Sequence, residues 1–376
     1  MRVLVVGSGA REHALVWKLA QSPDVDAIYA APGNAGTSQI AINLPIAVSD
    51  TDGLVAAARR ERIDLTVVGP EDPLADGLAD SFIANDLAVF GPVAEAARIE
   101  SSKTWAKDVM QSAGVPTARS ERFTDLSAAL DAIFDADLPL VIKADGLAAG
   151  KGVIIAETRS DAEQAVRSML ADGAFGSAGQ EILIEEYLTG REVSVLALTD
   201  GETTYPLLPA CDYKRANDHD QGLNTGGMGA YAPVGAVDVA MASRIQEEIL
   251  APTIMELRRR GITYRGVLYA GLMLTSSGPM VIEFNCRFGD PETEVVLPMM
   301  REDLLPYLAA CANGTLGSLP VPSWHEGACV SVVLASGGYP LGYSKGYEIS
   351  GLDQLPNDMV GFHAGTSLDD DQRVVT

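Results

Sequence analysis

Lys143 and Lys151 flank a short loop holding Gly146, Gly150 and Gly152, within the stretch Pro139–Ala156, PLVIKADGLAAGKGVIIA. Glycine lets a backbone turn with positive φ and bring its N–H groups against a ligand that a Cβ would hold off. Lysine supplies a point charge suited to phosphate. The chemistry indicated is binding of a nucleoside triphosphate. It is not a P-loop, because the interval from Gly146 to Gly150 is one residue short of G-x-x-x-x-G-K-[ST] and Gly152 stands where Ser or Thr would hold Mg²⁺. An ordinary tight hairpin with solvated lysines has the same composition, so this loop alone leaves both readings open.

A second set lies in Met280–Glu292, MVIEFNCRFGDPE, where Glu283, Asn285 and Arg287 alternate with Ile282, Phe284 and Cys286. Period two puts the polar three on one face of a strand, giving two hard oxygen ligands for Mg²⁺ beside a fork for phosphate or carboxylate. In EILIEEYL, Glu181–Leu188, an apolar strand end followed by Glu192 suits an adenine and its ribose hydroxyls, and a solvated edge strand would look the same. The opening RVLVV, Gly7-Ser8-Gly9 and Arg11–Gln21 read as strand, turn and helix, whose N-terminus can take an anion with Arg11 nearby. The dinucleotide fingerprint is incomplete, since Glu12 occupies the position of its last glycine. The loop from Asp212 to Gly229, DYKRANDHDQGLNTGGMG, is too polar for core and too long for a connector, which reads as functional.

The elements that must position these residues begin as a βα alternation. Strands at Leu65–Gly69 and Ala88–Gly91 are spaced by helices near Gly53–Arg62, Leu74–Asn85 and Ser101–Ala113. This implies a parallel sheet whose loops GSGARE, APGNAG, GPEDPLADG and GPVAEAA converge on one crevice. In the third loop Glu71 and Asp72 read most simply as helix caps. After Gly114-Val115-Pro116 a smaller unit holds the glycine-rich loop, and a helix over Ala240–Arg260 precedes the hairpin of Gly266–Leu274 with Met280–Glu292.

With 51 acids against 27 bases the formal charge is −24, which argues against nucleic acid or anionic membrane as a partner of the whole surface. The four cysteines lie apart without a C-x-x-C pair, so neither a disulfide framework nor a zinc site is spelled out. The amino end is a strand instead of a signal peptide, and the cytoplasm is the expected location.

The segments KADGLAAGKGV, EEYLTGREVS, NTGGMGAYAP, LYAGLM, EFNCRFGDPETE, GSGAREHALVWKLAQSP and APGNAGT together resemble the phosphoribosylamine–glycine ligase (glycinamide ribonucleotide synthetase) family of ATP-grasp enzymes. The resemblance runs in order along essentially the whole chain. It implies a multidomain α/β and α+β molecule: an amino-terminal Rossmann-like domain over 1–101, an ATP-grasp domain over 102–313 with a lid at about 118–190, and a β-rich carboxy-terminal domain over 325–376 that looks incomplete. It also implies ATP-dependent ligation of glycine to 5-phosphoribosylamine through glycyl phosphate. Lys103 and Lys143 match phosphate-binding lysines, and Gly150, Lys151 and Gly152 the cover over the triphosphate. Glu185, Glu186, Tyr187 and Leu188 match the adenine hinge, Glu192 the ribose-binding acid, and Glu283 with Asn285 the ligands of Mg²⁺ or Mn²⁺. Arg287, Lys214, Asp212 and Asp290 align with catalytic segments, and Asn224, Thr225, Gly226 and Gly227 with the substrate loop. Gly9, Arg11, Glu12, Gly33 and Asn34 align with the region expected to receive phosphoribosylamine. Tyr213 departs from a family histidine. A monomer is expected, with a dimer as the alternative. The other readings weighed are a different carboxylate–amine ligase, such as a carboxylase or D-amino-acid ligase, and a non-catalytic nucleotide-binding regulator.

Overall fold

The computed structural model describes residues 1–147, 152–172, 174, 176–219 and 221–376, apart from the side chains of 177 and 178. Gly150 and Lys151, expected to cover the triphosphate, lie outside the described residues.

The amino-terminal sheet is parallel throughout, with β1 (Arg2–Gly7), β2 (Ala27–Pro32), β3 (Ile42–Asn43), β4 (Leu65–Val68) and β5 (Val89–Phe90) ordered β3-β2-β1-β4-β5. β1 is buried on both faces, as a strand covered by helices must be. Val3 and Val5 join one hydrophobic core with Leu15, Leu19 and Val295, while Leu4 and Val6 join another with Leu54, Leu74 and Phe82.

An antiparallel sheet of Thr204–Pro206, Arg191–Thr199, Gly266–Thr275 and Gly278–Asn285 shares those two cores. Its Val193 and Val195 enter the first body of apolar side chains with Leu4, and its Leu196 and Leu198 the second with Val3, so the two sheets are packed as one unit. A separate four-stranded antiparallel sheet, Ser120–Phe123, Ile182–Glu186, Leu140–Ala144 and Val153–Ala156, packs on helices Leu126–Asp135 and Arg159–Leu170 around its own small core. Beyond it, Cys211–Asp212, Gly229–Ala232 and Cys329–Val332 make a three-stranded sheet.

Several elements differ from expectation. The helix expected over Leu74–Asn85 is two, Glu71–Ala75 and Leu78–Ala84, split where Gly77 takes φ +85°. The one near Ser101–Ala113 starts at Lys103, capped by the Ser102 hydroxyl, with a further helix Ala94–Ser101 before it. The long helix after Asp238 passes through a π-turn, Gln246–Leu250, just ahead of Pro252, a residue that cannot donate an i→i−4 bond. Helices Thr293–Met299 and Leu304–Asn313 had no clear sequence signal. No described helix is long and apolar enough to cross a membrane.

The segment near 362–366 docks on the first helix, Ala10–Leu19. His363 N donates to His13 Nδ1 at 2.9 Å, and Phe362 packs edge-on against His13 and Trp17. Burial, reinforced by His363, pushes the His13 imidazole down to about 4. The folded protein thus holds His13 neutral where the unfolded chain would protonate it near 6.5, so this contribution is complete above about pH 6.5 and is lost as pH falls toward 4. His13→Gln keeps an acceptor but cannot titrate. The stability advantage of wild type over this variant should shrink from pH 7 to pH 5, and a pH-invariant difference in thermal midpoint would reject this account.

Candidate active site

A cleft of about 2950 Å³ runs between the lid-like sheet, the antiparallel sheet of Gly278–Asn285 and the amino-terminal sheet. Glu283 and Asn285 face it from the last strand. A register shift lies just before them, where Gly271 pairs with Glu283 and Leu272 with Val281 and Ile282 is the extra residue; from Glu283 to Asn285 the pairing is regular, so the two polar side chains share one face. The strand ends at Asn285, and Arg287 reaches the cleft from the turn beyond it. Among the described residues neither the Glu283 carboxylate nor the Asn285 amide has a hydrogen bond or ion pair. Burial works against ionising Glu283, but Lys214, Lys143, Lys103 and Arg287 outweigh it and hold the carboxyl below its ordinary range.

On the lid side, Lys143 Nζ lies 2.8 Å from Glu185 Oε2 and donates to Ile282 O at 2.9 Å, while Lys107 Nζ lies 3.0 Å from Glu185 Oε1. Glu185 is therefore a buried acid held between two lysines at the wall of the cleft. Its neighbour Glu186 points the other way, as period two requires, and accepts from Arg119 N and Nε. Tyr187, Leu188 and exposed Glu192 line the cleft where the chain leaves this strand. Lys103, at the capped helix start, donates to Gly146 O at 2.8 Å, and Asp145 accepts from Thr104 N and the Ser102 hydroxyl. The glycine-rich stretch is thereby tied to that helix up to Gly146. Gly152 lines the cleft on the other side.

Arg287 is shared by two acids that sequence reasoning missed, with Nε 3.1 Å from Glu71 Oε2 and an Nη 3.2 Å from Glu100 Oε1. Despite burial these acids raise the guanidinium further. Arg11 donates to Phe288 O at 3.0 Å and stands 3.9 Å from the same Glu71 oxygen, so the two arginines converge. The sequence offered Glu71 only as a helix cap. A charged residue at a strand's carboxyl end was the signal available.

The loop from Asp212 folds back on itself. Thr225 N and Oγ1 both donate to Lys214 O, Gly227 N donates to Thr225 Oγ1 at 3.0 Å, and Gly226 N donates to the Tyr339 hydroxyl at 3.2 Å. Asn224 to Gly227 face the cleft with Asp212, Lys214 and Asp290. Asp212 sits 3.6 Å from Lys214; burial, with Glu292 and Glu192, pushes its carboxyl up to about 6 against the pull of that lysine.

Gly9, Glu12, Gly33 and Asn34 lie behind the cleft. Asn34 Nδ2 donates to Ser8 O and His363 O, and its Oδ1 accepts from Gly36 N and Thr37 N, so the amide is used within its loop. Glu12, fully buried, accepts from Gly9 N at 2.5 Å and from Arg11 Nε at 2.6 Å. The chain's own carboxylate thus takes the helix N-terminus that was expected to receive a phosphate. A Cβ at Gly7, Gly9 or Gly69 would collide with Glu12. Of the four loops expected to converge, the first and third line the cleft, through Ala10, Arg11, Glu71 and Asp72.

Comparison with known proteins places this geometry. A model of the phosphoribosylglycinamide synthetase N domain matches residues 1–100, and that of its ATP-grasp (A) domain residues 101–293. The phosphoribosylamine–glycine ligase of Nostoc sp. is 51% identical over 380 residues, covering 100% of this chain and 89% of the relative. That of Salmonella typhimurium is 49% identical over 381 residues, covering 100% and 88%. The crystal structure of the Thermotoga maritima phosphoribosylamine–glycine ligase superposes with TM-score 0.86 at 34% identity, covering 100% of this chain and 90% of that one. The biotin carboxylase domain of Hydrogenobacter thermophilus 2-oxoglutarate carboxylase, solved with MgADP and bicarbonate, shares the fold at TM-score 0.64 and 18% identity, covering 83% of this chain and 69% of that one. Two contiguous family matches spanning residues 1–293, and relatives at half identity over the whole chain, mean that this protein belongs to the phosphoribosylglycinamide synthetase family of ATP-grasp ligases.

Proposed function

We propose that the chain joins glycine to 5-phosphoribosylamine, converting ATP to ADP and phosphate and forming glycinamide ribonucleotide through glycyl phosphate. The observation that carries this reading is the gathering of Lys103, Lys143, Lys214 and Arg287 around half-buried Glu283, which has no partner among the described residues, in a chain of this family. A carboxylate is a poor acyl donor because its leaving group would be oxide. A glycine carboxylate oxygen attacks the γ-phosphorus, ADP departs, and the acyl phosphate then accepts the ribosylamine nitrogen, which loses a proton as phosphate leaves. Lys103, Lys143 and Arg287 counter negative charge on the transferring group. No side-chain nucleophile is required, and a closed cleft keeps water from the acyl phosphate.

ATP-grasp ligases use ATP with a divalent ion, and the residues here fit one: a half-buried carboxylate and a nearby amide oxygen on the same strand face, both without internal partners among the described residues. Glu283 and Asn285 would hold it, as Mg²⁺ on the hardness of both oxygens, with Mn²⁺ accepted by the same pair. When bound it supplies neutralisation of phosphate charge. Tyr187, Leu188 and Glu192 line the cleft where adenosine is proposed, Asn224–Gly227 and Asp212 where glycine is, and Arg11 where phosphoribosylamine is. Glu185 enters only as the partner that orients Lys143 and Lys107. The separate lid-like sheet supports a lid at about 118–190 within an ATP-grasp domain over 102–313, after a 1–101 domain and ahead of a 325–376 one. A monomer, with a dimer as the alternative, and the cytoplasm remain the expected state and location.

ADP release should require glycine and freshly made phosphoribosylamine together, with glycinamide ribonucleotide detected by mass. Equal release with bicarbonate, or no product of that mass, would sink the reading.

A further inference from the structure

Glu292 has no role in the reaction as set out above, yet it is 2% exposed and lines the cleft. Its Oε1 is fixed, accepting from the Tyr269 hydroxyl at 2.6 Å and the Ser194 hydroxyl at 3.1 Å, while those two hydroxyls lie 2.7 Å apart. Its Oε2 is buried and has no partner among the described residues. A buried carboxylate oxygen without a donor is costly, and an oriented one still more so, unless something arrives to satisfy it. Gly289 makes the space for that oxygen, since a Cβ there would collide with it and come 3.0 Å from the Tyr269 ring.

The surroundings say what should arrive. Glu292 stands within electrostatic reach of Asp212, Asp290 and Glu294, and Lys214 and Arg11 are the cations that offset this group. Glu294 is itself buried, and neither of its oxygens has a partner among the described residues. A recess this rich in carboxyls calls for a ligand bearing positive charge. Among the proposed substrates, ATP and phosphoribosylamine carry phosphates, and the attacking ribosylamine nitrogen must be neutral to be a nucleophile. Glycine alone brings a fixed ammonium.

We infer that Glu292 Oε2, steadied by Tyr269 and Ser194, receives the α-ammonium of glycine and is the residue that makes the site choose an amino acid over other small carboxylates. This rests on the ligase reading above. The ammonium held at Glu292 leaves the glycine carboxylate free to turn toward the lysines and Arg287, and Asp212 with Lys214 closes the remaining side. A neutral α-hydroxyl in the same place would leave the carboxylate poorly matched, so glycolate is the informative competitor.

The test uses the full chain and reads acyl phosphate, trapped with hydroxylamine as hydroxamate, together with ADP. In Glu292→Gln, kcat/KM for glycine should fall ~100-fold, the scale of losing one partner from a buried hydrogen-bonded charge pair. The KM for ATP should stay within about twofold, and glycolate, measured as substrate or as competitor of glycine, should hold its wild-type constant, because a uniform binding loss would move all three. Tyr269→Phe, which loosens Oε1 without removing the charge, provides a second variant if the first folds poorly, and should raise the KM for glycine ~10-fold with ATP unaffected. Equal loss of glycine and glycolate, or unchanged glycine constants in both variants, would overturn the assignment. Wild-type protein that makes no glycine hydroxamate would instead overturn the ligase reading, and the inference with it, before any variant is compared.

Discussion

Glu283→Gln should leave a folded protein that turns over ~10²–10³-fold more slowly, the scale of removing one preorganised electrostatic partner from a phosphoryl-transfer site. The fold should survive because three of the four cations around Glu283 have other anions, Lys143 with Glu185, Lys214 with Asp212, and Arg287 with Glu71 and Glu100, while Lys103 donates to Gly146 O. The site should not, because a neutral amide is a weaker ligand for a hard divalent ion and leaves four like charges facing one another. Thermal midpoint and steady-state turnover at saturating Mg²⁺ separate the two effects. Turnover close to wild type would remove Glu283 from the metal position.

Lys143→Met should act on stability and on ATP at once. Its ammonium is 4% exposed and pairs with fully buried Glu185, so the substitution leaves that acid with Lys107 alone. Breaking a buried pair from one side costs ~3–5 kcal/mol, and loss of a phosphate-facing charge should weaken ATP far more than glycine. Removing the orphaned acid as well separates the two. Lys143→Met with Glu185→Leu should recover most of the stability while ATP binding stays weak. A double variant with the wild-type KM for ATP would show that Lys143 serves the fold and not the nucleotide.

Period two decided how much of the site could be read from residues alone. It correctly set Glu283 beside Asn285, because the register shift falls at Ile282, before that pair, and leaves the alternation from Glu283 to Asn285 regular. It also separates Glu185 from Glu186 but does not say which faces inward; that depends on Lys107, on the distant helix Lys103–Ala113, and on Lys143 of the neighbouring strand. Family likeness placed Glu185 with the nucleotide, whereas contact geometry makes it the lysines' counter-ion. Arg287 was found by the same alternation, although it lies past the strand's end. Its partners Glu71 and Glu100 could not be: Glu71 opens a helix, where capping accounts for an acid without any long-range contact, and Glu100 lies in the last turn of Ala94–Ser101, a helix the sequence reading did not separate out. The parallel sheet was legible because four of its five strands are mostly apolar runs that end at glycine or proline; the edge strand Ile42–Asn43, two residues long and half polar, gave no such signal. The helices after Asp290 were not, because Pro291 and Pro298 break the pattern that would have announced them.

Glu12 and the three glycines that surround it can be restated as a constraint on how this sequence is free to drift. Gly7 ends the first strand, Gly9 lies in the turn after it and Gly69 just past the end of β4, yet each leaves its side-chain space to the same carboxylate. None of the three can acquire a methyl group while Glu12 is present, and Glu12 cannot shrink without opening a void against all three and freeing the Gly9 amide. These four positions therefore behave as one heritable character: a change tolerated at any of them depends on which residue already stands at position 12.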